Sequence, residues 1–383
     1  MRIAFDAKRA FRNGTGLGQY SRLLISSLIE GYEEHDYYLV TPKTGPHYEV
    51  PERPNTHLIL PQGIYRNLSS LWRTSGVKST LKRNKIDLYH GLSNEIPIGI
   101  HNTNIKSVVT IHDLIFEHYP EQYNNIDVNI YRKKFKYASS NADKVIAISN
   151  QTKTDLINLY GISEDRISVC YQSCDPVYQT LLDEDVKQQV LKKYDLPSEY
   201  LLYVGSINER KNLLNICKAL YQLKGKLDIP LVIIGKGGAY AEQVKQFIAE
   251  QKTEASFIFL SEKTNGIDTP GIRAKHDMPA IYQMAKAFIY PSVYEGFGIP
   301  VLEALWSKTP VITSNTSCLP ETGGDAAYYV DPHNVDEMAN AITKVLEDST
   351  LAAEMIDKGI KHAKTFTPEA CADAVMNEYL SIL

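Results

Sequence analysis

Apolar residues along the chain gather in short runs, and between the runs they recur every three or four positions. In the first half the runs are RIAFDA, YYLVT, HLIL, IDLYH, SVVTIH, KVIAIS and ISVCY; in the second they are LLYVG, LVIIG, FIFL, AFIY and PVITS. Rich in β-branched and aromatic residues, each reads as a buried strand. The stretches between them read as helices, most clearly from Leu17 to Glu30 and from Asp127 to Ser140. This alternation predicts parallel sheets built from βαβ units. The rhythm breaks near Asp175–Leu196 and then restarts, and 383 residues suit two such domains better than one core. Residues 1–180 and 181–367 are the expected domains. A last helix over 368–383 is apolar at Ala372, Val375, Met376, Tyr379 and Leu380, the stripe of a helix that packs on a domain. Residues 261–277, SEKTNGIDTPGIRAKHD, carry turn residues and no period, and read as a surface loop.

Composition narrows the class. With 43% apolar and 22% charged residues the chain is globular rather than disordered, and no apolar run nears the ~20 residues of a membrane span. Asp6 interrupts the first apolar run, which therefore reads as a strand and not as a secretory leader. Cytoplasmic residence is the expectation. Cys170, Cys174, Cys217, Cys318 and Cys371 complete no zinc pattern and read as reduced thiols. Charge is uneven: residues 1–175 balance to +3 and residues 176–383 to −7. From Arg53 to Ile86 there is no acid but seven basic residues, Arg53, Arg66, Arg73, Lys78, Lys82, Arg83 and Lys85. Within that run Asn67–Lys85 reads as helical, with Leu68, Leu71, Trp72, Val77 and Leu81 as an interrupted stripe that Gly76 breaks. Two readings stay open: peripheral contact of 53–86 with an anionic membrane at its cytoplasmic face, or a stripe packed into the first domain beneath a solvated basic face. No nucleic-acid partner is expected.

Candidate chemistry centres on AFIYPSVYEGFGIPVLEALW, which starts at Ala287. A strand ends at Pro291, a turn carries Glu295, Gly296, Phe297 and Gly298, and a helix opens with Pro300 in its first turn. The positive end of that helix suits an anion at the C-terminal edge of a sheet. Glu295 and Glu303 could then take hydroxyls at the two ends of one ligand, carboxylates being good bidentate acceptors. The plainer alternative is a helix start that merely favours acids. A second element, LLYVGSINERKNLL, places Arg210 and Lys211 after a strand and before a helix, where two cations suit a diphosphate. Upstream, Gly14, Gly16 and Gly18 precede the first long helix as a phosphate or acceptor loop, or as a plain turn. Their spacing and the acid-free end of YYLVT do not fit a dinucleotide fingerprint. His112 and Asp113, and also His90, end strands where open α/β sheets bind ligands. Asp183-Glu184-Asp185 fits D-x-D but sits at the start of a polar helix, which favours acids for dipole reasons; no metal is expected.

EGFGIPVLE resembles the E-x7-E motif of the retaining glycosyltransferases of family 4, with the intervening residues also matching. The glycine loop, TIHD, the RKN segment and SCLPETGGDAAYYVDP extend the likeness over nearly the whole chain, towards bacterial mannosyltransferase-type enzymes of surface polysaccharide assembly. The resemblance implies a GT-B fold, two facing Rossmann-like domains with the final helix crossing back to the first. It implies hexosyl transfer, GDP-mannose being the first choice, from a nucleotide diphosphate sugar to a saccharide or lipid-linked saccharide, with retention and no cofactor. In it Glu295 meets the donor sugar, Glu303 the ribose, Arg210 and Lys211 the pyrophosphate, and the Gly296–Gly298 amides the sugar and phosphates. His112 lies beside the sugar, and the leaving phosphate takes the acceptor's proton. One departure is Ser206, where many members carry an arginine straight after the glycine. Rival readings are a sugar-nucleotide epimerase of this architecture, a two-domain sugar-binding protein and a non-catalytic nucleotide-sugar-binding subunit.

Overall fold

The computed structural model describes residues 1–263 and 277–383, which form two units, Met1–Cys174 with Phe366–Leu383, and Asp175–Thr365. Unit 1 holds a seven-stranded sheet of β1 (Arg2–Asp6), β2 (Asp36–Val40), β3 (Thr56–Ile59), β4 (Leu88–Gly91), β5 (Lys106–Ile111), β6 (Lys144–Ala147) and β7 (Ile167–Val169). Its order is β3-β2-β1-β4-β5-β6-β7 and every pair is parallel. Unit 2 repeats the plan with β8 (Leu201–Val204), β9 (Leu231–Ile234), β10 (Phe257–Phe259), β11 (Ala287–Tyr290), β12 (Val311–Ser314) and β13 (Ala327–Val330), ordered β10-β9-β8-β11-β12-β13. In each sheet the chain's direction of travel reverses beside the first strand, between β1 and β4 and between β8 and β11. Such switch points open a crevice at the C-terminal ends of the strands, where α/β proteins bind ligands.

Twelve of these strands coincide with the apolar runs. The exception is β13, an edge strand that pairs only with β12 and is mostly half-buried; its run AYYV was not among the expected strands. Strands buried on both faces, such as β4 and β11, are the ones the sequence marks most clearly. Helix Leu260–Lys263 and helix Asp277–Met284 take the two ends of the expected loop, and residues 264–276 lie outside the described residues.

Helices Gly16–Gly31 and Pro368–Ile382 pack together on one face of the unit 1 sheet. The last helix buries Cys371, Ala372, Val375, Met376 and Tyr379, while Leu380 points outward. Each fully buried large side chain of this kind contributes about 1.5–3 kcal/mol. The opposite face is covered by the acid-free stretch. There Trp72, Val77 and Leu81 enter the core, and Ile64, Leu68 and Leu71 stay exposed. Gly76 does not break the helix; the run Ser69–Leu71, Trp72–Gly76, Val77–Arg83 is continuous, with a wider π turn in its middle. A Cβ at Gly76 would meet the Tyr65 ring at 2.8 Å, so its missing side chain is what lets Tyr65 pack there. Arg73 is no surface cation. It turns inward to Asp6 and Glu95.

Candidate active site

The loops after β8 and β11 are tied to each other at the unit 2 switch point. Val293 N–H donates to the Arg210 carbonyl at 2.8 Å, and Arg210 Nη1 donates to the Tyr294 carbonyl. Asn212, in the left-handed region at φ 61°, donates its amide to the carbonyls of Pro291 at 3.2 Å and Pro332 at 2.6 Å. A short 3₁₀ turn, Glu209–Lys211, therefore projects both cations towards Glu295. One carboxylate oxygen, Glu295 Oε1, lies 2.6 Å from Lys211 Nζ, 2.9 Å from Arg210 Nη1, 2.5 Å from Ser292 Oγ and 3.1 Å from the Tyr290 hydroxyl. Tyr290 also contacts Lys211, whose Nζ stands 4.7 Å from the centre of its ring.

Glu295, Lys211, Ser292 and Tyr290 are buried and the Arg210 side chain is 10% exposed, so their charges act strongly on one another. Burial alone would raise the Glu295 carboxyl, but Lys211 and then Arg210 overcome it and hold it at about 2. Burial pulls the Lys211 ammonium below its ordinary value; Glu295 opposes that shift and Arg210 adds to it. Two cations face this one carboxylate. Removal of a buried partner from such a group exposes the rest to uncompensated charge.

Beyond Glu295 the chain turns through Gly298, at φ 107°, into helix Ile299–Trp306. A Cβ at Gly298 would also lie 3.0 Å from Leu319 Cδ2, so both the backbone angle and the packing require glycine. Phe297 is buried and its carbonyl accepts from Thr322 Oγ1; Gly296 joins it to Glu295. Glu303 sits on the buried side of the helix and its Oε2 accepts from the Tyr282 hydroxyl at 2.9 Å. Tyr290, Ser292, Asn212 and Tyr282 were not singled out by the sequence. Tyr290 and Ser292 flank Pro291 inside the same motif, which was a usable signal, whereas Tyr282 lies on another helix and only folding brings it to Glu303.

In unit 1 the glycines differ from one another. A Cβ at Gly18 would fall 1.8 Å from the Asn13 carbonyl oxygen, whereas one at Gly16 meets nothing within 4 Å and one at Gly14 meets the His47 ring at 3.2 Å. Asn13 Oδ1 closes the loop by accepting from Thr15 N at 2.8 Å and Gly18 N at 3.3 Å. His112 is buried just past β5. Its Nε2 lies 2.9 Å from the Leu92 carbonyl and its Nδ1 3.0 Å from the Gln172 amide, so Nε2 carries the proton and Nδ1 accepts. Burial holds it at about 4, and the ring is neutral. His90 is neutral for the same reason, at about 3, with its nitrogens 2.5 Å from the Tyr379 hydroxyl and 2.8 Å from Thr110 Oγ1. Thr110 Oγ1 also meets Tyr20, whose ring stands edge-on to His112 at 4.8 Å. Asn94, at φ 63°, accepts from His112 N–H at 2.9 Å, while Asp113 caps the turn at Ile115. Asp183, Glu184 and Asp185 are exposed at the start of helix Glu184–Tyr194. The five cysteines are buried and none is in a disulfide.

Residues 14–177 match the family described as Glycosyltransferase Family 4, and residues 185–362 match Glycosyl transferases group 1. O-antigen chain mannosyltransferase B of Escherichia coli is 29% identical over 295 residues, 76% of this chain and 74% of that protein. Serotype-specific mannosyltransferase WbdA of Escherichia coli is 28% identical over 290 residues, and there the chain spans only 34% of the relative's length. Among solved structures, a glycosyltransferase from Rickettsia africae superposes with a TM-score of 0.75 at 20% identity, over 100% of this chain and 98% of that one. Anabaena HepE, solved with UDP-glucose, superposes at 0.73 with 16% identity over the whole of both chains. These likenesses carry the fold, and the two matched families account for both units: the chain belongs to the family 4 glycosyltransferases and is a glycosyltransferase of GT-B fold.

Proposed function

We propose that the chain moves a hexosyl group, mannosyl from GDP-mannose as first choice, from a nucleotide diphosphate sugar to a hydroxyl of a saccharide or lipid-linked saccharide, with retention at the anomeric carbon. One observation carries the donor half of this reading: a buried lysine and a largely shielded arginine converge on one carboxylate at a switch-point crevice. On this reading the diphosphate draws Lys211 and Arg210 into contact, and their charge stabilises the negative charge that grows as the sugar–phosphate bond breaks. Glu295 accepts from sugar hydroxyls, with the Gly296–Gly298 amides beside it, and Glu303, oriented by Tyr282, takes the ribose hydroxyls. The acceptor oxygen bonds to the anomeric carbon as the bond to the diphosphate breaks, and its proton passes to the leaving phosphate. His112, neutral and engaged at both ring nitrogens, acts by position and supplies no proton. Gly18 shapes its loop for packing and Gly14 lies against the His47 ring; Gly16 is the member of that loop with open space for a ligand's approach. The first choice of sugar follows the mannosyltransferases among the relatives.

Because Lys211 and Arg210 supply the charge, transfer should need no metal, and activity should survive EDTA. A requirement met specifically by manganese would count against this account. A panel of GDP-, UDP-, ADP- and dTDP-sugars in thermal shift identifies the donor, since ligand binding to the folded state raises the melting point. Nucleoside diphosphate release that depends on an added acceptor separates transfer from epimerisation; release of none would sink the proposal. A second surface belongs to the same reading. Ile64, Leu68 and Leu71 stand exposed in the stretch that carries Arg66, Lys78, Lys82 and Arg83. We infer peripheral contact of this face with anionic lipid at the cytoplasmic side, and no helix among the described residues is long and apolar enough to cross a membrane. Sedimentation with anionic vesicles at low salt, and none with neutral ones, is the expected result.

A further inference from the structure

His112 is held at every polar atom it has. Its backbone N–H donates to Asn94 Oδ1 at 2.9 Å, and its carbonyl accepts from Thr152 Oγ1, on helix Asn150–Tyr160, at 3.3 Å. In the ring, Nε2 lies 2.9 Å from the Leu92 carbonyl and Nδ1 lies 3.0 Å from Gln172 Nε2. Tyr20, on helix Gly16–Gly31, closes one side edge-on at 4.8 Å. Two of these anchors settle where the proton is. A backbone carbonyl can only accept, so Nε2 carries hydrogen; Nδ1 then offers a lone pair, which needs a donor. Gln172 supplies it. This residue is 4% exposed and lies beyond the end of β7, outside any strand or helix. A position that needed only filling would take an apolar side chain of similar size, because an amide gives up its hydration on burial.

We propose that Gln172 is a positioning residue for transfer: by donating to Nδ1 it keeps the His112 ring neutral and in one tautomer. The inference rests on the reading above, in which His112 acts by position as the sugar becomes cation-like. A protonated ring there would set a second positive charge against the one that develops on the sugar; a neutral ring adds none, and a fixed one keeps its edge in place. The other groups around the ring agree with this. Burial holds His112 at about 4 against the pull of the Leu92 hydrogen bond, and Arg9, on helix Lys8–Arg12, lowers it further. His90 is itself neutral, at about 3, and burial raises the Tyr20 hydroxyl. Asp113, the next residue in the chain, accepts from Ile115 N–H at 3.1 Å. A carboxylate at position 172 would reverse the arrangement, since it accepts where the amide donates and calls for a second ring proton.

The test joins nitrogen NMR of the histidine rings in the full chain to turnover as a function of pH, with the His112 signals identified as those missing in His112→Asn. In the wild type, Nε2 should carry hydrogen and Nδ1 none from about pH 8 down to about pH 5.5. Gln172→Glu should put hydrogen on Nδ1 and make the ring an imidazolium at pH 6. There kcat should fall at least about tenfold below the wild type while the donor KM changes less than about threefold, and the deficit should shrink as the pH rises. A purely structural role would lower the melting point and leave the ring state and the pH profile of kcat unmoved. Hydrogen on Nδ1 in the wild type, or a folded Gln172→Glu with the wild type's ring state and kcat, overturns the assignment. If Gln172→Glu does not fold, Gln172→Met decides: similar in length but with no N–H to give, it should lower kcat about threefold or more with KM little changed, and equal kcat in the two proteins overturns the proposal. Should the wild type turn over no nucleotide sugar, the transfer reading fails, while the ring titration still decides whether Gln172 governs the proton on His112.

Discussion

The two sheets share one strand order, and each places a buried ion cluster at its switch point, yet the clusters are built the opposite way round. Beside β8 and β11, Arg210 and Lys211 converge on Glu295. Beside β1 and β4, a single arginine, Arg73, spans Asp6 and Glu95. The first arrangement gathers two cations about one carboxylate, which on the reading proposed above suits a diphosphate. In the second, two carboxylates answer one guanidinium. A shared topology can thus carry ion clusters of opposite composition at the same point of each sheet.

The comparison breaks most readily at Arg73. Arg73→Ala leaves Asp6 buried without its cation and should cost about 3–5 kcal/mol in denaturant unfolding. A cost below about 1 kcal/mol would mean that the cluster is a solvated surface pair after all. In unit 2, Glu295→Gln should lower turnover about a hundredfold, with a smaller effect on donor affinity, because its contact matters most as the sugar becomes cation-like. Equal turnover in the two proteins refutes its role. Glu303→Gln should weaken donor binding about tenfold and remove most of the preference for a ribonucleotide over its dideoxy analogue. An unchanged preference would separate Glu303 from the ribose.

The effect of pH is spread over several units and needs no substitution. His90 and His112 are depressed in the folded state, to about 3 and about 4, so the unfolded chain binds more protons just below the ordinary histidine value near 6.5. Their contribution is therefore complete above about pH 6.5 and is lost as the pH falls towards 4, by at most about 1.4 kcal/mol per pH unit for each ring. Glu295, depressed to about 2, adds a further loss below its ordinary value. Acid unfolding measured from pH 7 to 4 should show stability falling throughout. A flat profile would show that neither ring is buried neutral.

How much of this was legible depended on whether partners lie near in sequence. Strand β11, its turn and the first turn of the helix follow one another, so Glu295, Gly298 and Glu303 could be placed by local rules. Arg210 and Lys211 were legible as a pair at a helix start, where cations are disfavoured without a ligand or partner. Arg73 was not: its seven-residue basic context suggests solvent, and Asp6, 67 residues away, is what turns it inward. Leu71 and Trp72 are neighbours with opposite fates because successive residues of a helix face different sides, and only Trp72 faces the sheet. Tyr282 meets Glu303, and Tyr379 meets His90, only across tertiary contacts that no periodicity encodes.

The central claim, that the cation-rich cluster of unit 2 holds the donor diphosphate, is tested most directly by calorimetric titration of wild type and Lys211→Ala with GDP-mannose, or with whichever nucleotide sugar gives the largest thermal shift. The account predicts that the variant remains folded and binds the donor at least about tenfold more weakly, the loss of one charge-assisted contact. Equal affinity in a folded variant would contradict it.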